Sequence, residues 1–145
     1  MMSSSRQNQR SLDETVVVEH IRVEQDRVVF QVRIRNQAWH RTTPALSTRA
    51  LQARPNLARH ACVNTVGRTF GDVIDDTPLP HLLEHVAIDM LAESCPETHA
   101  THVGTSVWLD EPAGLARVQI SMQDDLVALA AFKQAVALVN QLLIS

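Results

Sequence analysis

The sequence predicts an α+β fold, a two-layer sandwich in which an antiparallel sheet of two hairpins carries its helices on one face. Three observations favour this class. Two pairs of segments alternate apolar with polar residues, a short turn joins the members of each pair, and stretches with helical spacing follow each pair. The predicted order is ββααββα, which is typical of a two-layer arrangement. We expect a disordered tail at residues 1–12 and a single α+β domain at residues 13–145.

The first hairpin is predicted from strands at residues 16–24 and 28–35, with Gln25 and Asp26 in the turn. A helix is then expected to begin at Pro44 behind Thr43 as its N-cap. It should end near residue 53, because the residue before Pro55 is disfavoured in the α conformation. A short helical stretch over about residues 56–62 and a loop over residues 63–76 complete this region.

The central helix is predicted from a proline-rich start at residues 77–80 to about residue 94. Thr77 can cap it, and Pro78 and Pro80 suit its first turn, since proline presets the helical φ and lacks an N–H that would stay unpaired there. Its apolar residues recur at three- and four-residue steps and are expected to be buried: Leu79, Leu83, Val86, Met90 and Leu91.

The second hairpin is predicted from strands at residues 101–109 and 115–122, joined by a turn at residues 111–114. One face of each strand is apolar and is expected to be half-buried. These residues are Val103, Thr105, Val107 and Leu109 in the first strand, and Ala116, Val118, Ile120 and Met122 in the second.

Asp124 is expected to cap a last helix that reaches about residue 143. The helix has a main apolar stripe and a second apolar face rich in alanine. Such coverage predicts packing against the sheet or, as the alternative, a homodimer through this C-terminal helix. The stripe comprises Leu129, Phe132, Val136, Val139 and Leu143, and the second face Ala128, Ala131, Ala135, Leu138 and Leu142.

Composition excludes several classes of partner. The formal net charge of −3 gives no electrostatic footprint for nucleic acid, and no apolar run approaches the length of a membrane span. The first ten residues lack the apolar segment of a signal peptide. The chain has two cysteines, which do not form a disulfide framework, so a reducing, cytoplasmic location is expected.

The central helix contains the motif H-x-x-E-H at its start. His81 and His85 are four residues apart and therefore project from the same side of the helix. Two neutral imidazoles suit Zn²⁺ or another divalent transition metal. Glu84 lies beside them, where a carboxylate can act as a general base without being a ligand. The alternative is that these are ordinary helix histidines.

A catalytic zinc site usually has three protein ligands, so a third is expected from elsewhere in the chain. Cys62 lies nineteen residues before His81 at the end of a helical stretch, and its thiolate could fold back onto the motif helix. Cys95 is at the far end of that helix, roughly 15 Å or more away, and is too distant. His60, His99 and His102 remain as alternative ligands. His60 could instead contact one of the metal ligands and orient it without binding the metal itself. Cys62 could also be a small buried apolar residue.

Residues 57–91 resemble part of the N-terminal domain of cyanophycin synthetases. The similar pieces are Leu57-Ala58-Arg59-His60-Ala61-Cys62, then Phe70 with Ile74, and above all His81-Leu82-Leu83-Glu84-His85-Val86-Ala87-Ile88-Asp89. Val103-Gly104-Thr105 and the C-terminal helix resemble the family less specifically. We expect a standalone homologue of that domain, since the two ATP-using ligase domains that follow it in the synthetases are not in the sequence.

The resemblance implies a metallopeptidase-like site. In some members of the family this domain is a zinc-dependent hydrolase of a polymer of aspartate and arginine. Carried onto this chain, the resemblance marks His81 and His85 as ligands, Glu84 as base and Cys62 as the matching thiol, ahead of His99 and His102. The family's arginines that flank the Gly-x-Thr stretch are absent here, which argues against recognition of an aspartate-rich chain.

Three functions are therefore considered. The first is a metal-dependent hydrolase whose substrate is a peptide or a small amide-containing molecule, with Glu84 passing a proton from water to the leaving nitrogen. The second is a non-catalytic binding module of the same fold with a structural or vestigial metal. The third is a lyase or isomerase, since S-ribosylhomocysteine lyase is similar in using H-x-x-E-H with a cysteine, although there the cysteine follows the motif.

Overall fold

The computed structural model describes residues 14–62, 66–94 and 102–144 and contains one sheet of four antiparallel strands with three α-helices. The predicted α+β class and the order ββααββα are confirmed. The predicted tail at residues 1–12, together with Cys95 and His99, lies outside the described residues. The strands are β1 (Val16–Val23), β2 (Arg27–Ile34), β3 (Gly104–Asp110) and β4 (Leu115–Ser121), and the helices are α1 (Pro44–Ala53), α2 (Leu79–Ser94) and α3 (Asp125–Ile144).

The sheet has the strand order β1-β2-β4-β3, so the two hairpins meet through their second strands. Backbone bonds at both ends fix this junction: the Ile34 amide donates to the Gly114 carbonyl at 2.7 Å, and the Met122 amide donates to the Asp26 carbonyl at 3.0 Å. Gly114 has a φ of 73°, the left-handed region that glycine adopts at little cost, where the β3–β4 turn ends. β1 and β3 are consequently the two edges of the sheet.

The helices cover one face of the sheet and enclose the core. Helix α2 packs on β3 and β4, while α3 packs on α2 and on the β1–β2 half. At the centre, the rings of Phe30 and Phe132 stack with 3.6 Å between their centroids. The inner face of β2 and β4 is fully apolar: Val28, Phe30, Val32, Ile34, Ala116, Val118 and Ile120.

Helix α3 packs through both of its predicted apolar faces. Ala128, Ala131 and Ala135 of the second face are buried. Phe132, Val139 and Leu143 of the main stripe are buried as well, and the rest of the stripe, Leu129 and Val136, is half-buried. By length and composition alone α3 could cross a membrane, but core helices of globular domains meet the same criterion. The homodimer through this helix stays a prediction.

The predicted orientation of β3 is wrong. Val103, Val107 and Leu109 are exposed, and the opposite set, Gly104, Ser106 and Trp108, faces the helices. The physical reason is the close approach of α2. A Cβ atom at position 104 would lie 3.0 Å from both Glu84 Cγ and Ile88 Cδ1, so only glycine allows the helix to pack so closely here. The described strand also begins at residue 104 rather than at the predicted 101.

Candidate metal centre

The first turns of α2 carry the two motif histidines on one side. Their ring centroids are 4.8 Å apart, with His85 buried and His81 half-buried. Leu82, Leu83 and Val86 are fully buried in the core. Because this packing fixes the rotation of the helix, the two imidazoles are held toward the neighbouring loop rather than toward solvent.

Thr77 does not cap α2 as predicted. The helix begins at Leu79, whose amide donates to the His40 carbonyl at 2.9 Å, and the His81 amide donates to the Pro78 carbonyl at 2.9 Å. The Thr77 hydroxyl is instead hydrogen-bonded to Nδ1 of His81 at 2.9 Å. With Nδ1 engaged by the protein, Nε2 is the nitrogen of His81 that is available to a metal.

The segment before α2 brings Cys62 to the histidines. Ala61 and Thr69 form an isolated antiparallel bridge, and the Cys62 amide donates to the Arg68 carbonyl at 2.9 Å. These bonds fold residues 60–62 back over the helix. The Sγ atom of Cys62 consequently lies 3.4 Å from Nε2 of His81.

Cys62, His81 and His85 each offer one ligand atom, and all three atoms lie within 4.8 Å of one another. Tetrahedral zinc with bonds of about 2.0–2.1 Å to nitrogen and about 2.3 Å to sulfur separates such atoms by roughly 3.5 Å. The 3.4 Å between Cys62 and His81 agrees with that spacing. Two imidazoles and one thiol are also a donor set that suits zinc, so the residues present fit such an ion.

His60 orients His85 rather than joining the cluster. Its Nδ1 lies 3.1 Å from Nδ1 of His85, and its Nε2 lies 3.0 Å from Oδ1 of Asp89. Arg54 completes the chain by donating from Nε to Asp89 at 2.7 Å and from another nitrogen to Glu93 at 2.6 Å. If Nδ1–H of His85 donates to His60 and Nε2–H of His60 donates to Asp89, every ring is neutral and satisfied. Nε2 of His85 is then free to bind a metal.

Phe70 fixes the planes of both imidazoles. Its buried ring stacks on His85 with 4.1 Å between centroids and meets His81 edge-on at 4.9 Å. A hydrophobic wall behind a metal site also limits the access of water. From the sequence, Phe70 was named only as one of the residues that resemble the family, without this role.

Glu84 lies directly beside the cluster. Its Oε2 atom is 3.8 Å from Nε2 of His85, and the residue is only 6% exposed. Burial raises the pKa of Glu84 to about 7, although a hydrogen bond with the Ser106 side chain and the proximity of His60 act in the opposite direction. A carboxyl group with a pKa near 7 can accept and release a proton at neutral pH.

Burial favours the neutral form of both motif histidines. It lowers the pKa of His81, and together with the proximity of His81 and His60 it lowers the pKa of His85 to about 3. Burial also tends to raise the pKa of Asp89, but its hydrogen bonds with His60 and Arg54 outweigh this and hold it below the usual value. The site therefore presents neutral imidazoles next to an ionised Asp89, the protonation states that metal binding requires.

A cleft of about 780 Å³ opens between α2, the segment around Cys62 and strand β3. Its size is within the usual range for ligand pockets. The three clustered residues, Glu84 and His60 line one wall, and residues 102–108 line the other. His102 therefore borders the cleft but does not belong to the three-residue cluster, and His99 lies outside the described residues.

A comparison with protein-family models gives one match. Residues 27–144, more than half of the chain, match the model of the cyanophycin synthase-like N-terminal domain. The chain belongs to this family. A comparison with curated proteins gives no significant match.

The match covers the whole candidate metal centre of this cyanophycin synthase-like domain, from β2 to α3, and leaves out β1. The orienting groups Thr77, Asp89, Arg54 and Ser106 were not predicted in these roles from the sequence. Asp89 offered one signal, because it follows His85 by four residues on the same helix face and therefore lies next to the histidine.

Proposed function

We propose that this cyanophycin synthase-like N-terminal domain is a metal-dependent hydrolase of amide or peptide bonds. Cys62, His81 and His85 would hold the ion, and Glu84 would be the general base. One observation carries the proposal. A buried carboxylate lies 3.8 Å from Nε2 of His85, beside a cluster of two imidazoles and a thiol that opens into a cleft.

Zinc is the ion that the donor set favours. When bound, it supplies a Lewis acid that activates water for attack and polarises the carbonyl group of the substrate. Thr77 and His60 orient the two imidazoles through their Nδ1 atoms, and Phe70 restricts ring rotation. Such outer contacts keep the ligands in one geometry before the ion arrives.

Glu84 moves the proton. In hydrolysis the oxygen of water bonds to the carbonyl carbon, the C–N bond breaks, and the nitrogen leaves with an added proton. The carboxylate accepts the proton that water loses and gives it to the leaving nitrogen. The hydrogen bond between the side chains of Ser106 and Glu84 holds the carboxylate toward the cleft.

Metal content and turnover test the proposal together. Protein purified without a histidine tag should contain about one equivalent of zinc by mass spectrometry, and the zinc-loaded protein should cleave members of a fluorescence-quenched peptide library. Glu84→Gln should keep the zinc and lose about 100-fold or more of the activity, since a general base contributes at least that much. Glu93→Gln is the matched control, because Glu93 is an exposed acid on the same helix and should change neither quantity.

Two results would contradict different parts of the proposal. Intact turnover in Glu84→Gln would remove Glu84 as the base. Zinc binding in the wild-type protein without cleavage of any library peptide or simple amide would instead favour the non-catalytic binding module, with the ion in a structural role.

A further inference from the structure

The two edges of the sheet differ in how they are protected. Strand β1 has a bulge between Val18 and His20 and carries charged residues, Glu19 and Arg22, both of which discourage pairing with another chain. The outward backbone groups of Val16 on the same edge are also occupied, because the Asn140 side chain accepts from its N–H at 2.8 Å and donates to its carbonyl at 3.0 Å. These features protect the β1 edge against pairing with another strand.

Within the described parts of the chain, strand β3 has none of these protections along the cleft. Residues 103–109 carry no charge and no proline, and Val103, Val107 and Leu109 are exposed. The irregularity in its pairing with β4 lies at the far end, between Trp108 and Asp110. An uncharged and regular edge strand is a ready template for another strand, and proteins avoid one where it has no use.

The hydrogen-bonding register shows which backbone groups of β3 face outward. The Ser121 amide donates to the Val103 carbonyl at 2.8 Å, so residues 103, 105 and 107 are the ones that bond to β4. Bonded and non-bonded pairs alternate along an antiparallel ladder. The N–H and C=O groups of Gly104 and Ser106 therefore point away from β4, out of the sheet edge.

The cleft runs along this edge rather than over one face of the strand. Six consecutive residues, Val103 to Trp108, line it although their side chains alternate between the two faces of the sheet. At about 3.3 Å per residue they span roughly 17 Å, enough for five residues of a paired strand. Ser106 on this edge contacts Glu84, whose carboxylate is 3.8 Å from Nε2 of His85, so the edge leads directly to the metal centre.

We propose that the free edge of β3 binds the substrate as an added β-strand, so that the substrate is an extended peptide recognised through its main chain. This inference rests on the proposed function and specifies its substrate class. Addition of a strand supplies affinity through backbone hydrogen bonds and leaves the selection of side chains to the flanking walls. Those walls are mostly apolar, with Pro78, Pro80, Ile88, Val107 and Trp108 among them.

The walls also disfavour a strongly acidic peptide. Among the described residues that line the cleft there is no lysine or arginine, and Glu84 is a carboxylate. Acidic side chains paired with β3 would be desolvated there without a lysine or arginine side chain to neutralise them. The preferred substrate is therefore a peptide without acidic side chains in the segment that pairs with β3.

Binding to the Glu84→Gln protein tests the proposal without relying on turnover. The probe is a peptide of alternating threonine and alanine with a lysine at each end, measured by calorimetry. Two derivatives carry four N-methyl groups each, either on alternate residues, which leaves one edge of the peptide able to pair, or on consecutive residues, which blocks both edges. The alternate derivative should bind nearly as well as the parent, and the consecutive one about 30-fold more weakly, since several hydrogen bonds are lost.

The protein side gives a second comparison. Ser106→Pro removes the outward N–H and the hydroxyl, whereas Ser106→Ala removes only the hydroxyl, and proline is tolerated where the missing N–H faces away from the sheet. Ser106→Pro should bind the parent peptide about tenfold more weakly than Ser106→Ala. If Ser106→Pro does not fold, the binding of the two methylated peptides to Glu84→Gln still tests strand addition.

Equal affinity for the two methylated peptides, or no binding of the parent peptide, would overturn strand addition. A concentration-dependent dimer that dissociates in Ser106→Pro, without peptide binding, would do so as well, because a second copy would then occupy the edge. Strand binding by the zinc-loaded protein without cleavage would contradict the hydrolase but leave the binding mode in place. A cleavage rate that does not depend on methylation of the paired edge would contradict strand addition but leave the hydrolase in place.

Discussion

The buried carboxyl group of Glu84 couples the site to the stability of the metal-free fold. Its pKa is about 7 in the folded protein and about 4.5 in the unfolded chain, so folding favours its protonated form. The resulting stabilisation is fully present below pH 4.5 and is lost as the pH rises through 7. His85 has the opposite sign, because its pKa falls from 6.5 to about 3 and its contribution is lost as the pH decreases.

Glu84→Gln should therefore gain stability relative to the wild type as the pH rises. For chelator-treated protein, the difference in free energy of unfolding between the two should grow by up to about 3 kcal/mol from pH 4.5 to pH 7, at 1.36 kcal/mol per pKa unit. Urea unfolding across this range measures it, and the contribution of His85 cancels because both proteins contain it. Parallel curves for the two proteins would contradict the shift.

Asp89 should influence metal affinity although it is not a ligand. It accepts from His60, which in turn contacts Nδ1 of His85, so Asp89→Asn disturbs the chain that orients a ligand. Loss of such an outer contact typically weakens metal binding by about 10–100-fold. Competition with a chromophoric zinc chelator measures this. Glu93→Gln also loses a bond to Arg54 but leaves His60 untouched, so it should bind zinc normally. Equal affinities in the two variants would refute the orienting role of Asp89.

The sequence predicted the parts of the site that a single helical turn brings together. His81, Glu84 and His85 fall within five residues, so their proximity follows from the period of the helix. Thr77 and Ser106 could not be found in this way. Thr77 suited the role of a cap, and only the detailed course of the chain before Leu79 shows that its hydroxyl meets His81. Ser106 reaches Glu84 through the packing of β3 on α2, which depends on tertiary structure.

At the scale of elements, hydrophobic alternation correctly predicted that β3 is a strand but not which face it buries. The apolar set at Val103, Val107 and Leu109 is more hydrophobic than Gly104, Ser106 and Trp108, yet it faces outward. The requirement to bring α2 within contact of the strand outweighs the burial of three apolar side chains. A local departure from the usual pattern of burial is expected where a site is built.

Asn140 on α3 joins the helix layer to the edge of the sheet, and its loss should destabilise the fold. Its side chain bonds to both the N–H and the C=O of Val16, and these groups are buried. Asn140→Ala leaves them without partners, which should cost about 1–3 kcal/mol in free energy of unfolding. Urea denaturation measures the change, with the exposed Gln134→Ala on the same helix as the control. A loss below about 0.5 kcal/mol, the range of ordinary surface substitutions, would contradict this role.

At the scale of the whole molecule, the class and element order followed from the sequence, whereas the strand order did not. Two hairpins can join through either strand of each hairpin, and local sequence patterns do not distinguish these pairings. The observed junction of β2 with β4 makes β3 an edge strand of the described sheet, beside α2. Had β3 been internal, the histidine cluster would lie against a paired strand, and the cleft between the two would not exist.

The candidate metal centre links segments that are distant in sequence, so the ion should stabilise the entire fold. Cys62 precedes His81 by nineteen residues, and a ligand that binds only the folded state adds about 2.7 kcal/mol at 100 times its Kd. For a domain of this size zinc should therefore raise Tm by roughly 8 °C, measured by calorimetry with and without chelator. Cys62→Ala should lose most of this increase. His102→Ala should retain it, since His102 lines the cleft without joining the cluster. The opposite pattern would indicate that His102, rather than Cys62, is the third ligand. An unchanged Tm of the wild-type protein on addition of zinc would argue that no ion is bound there.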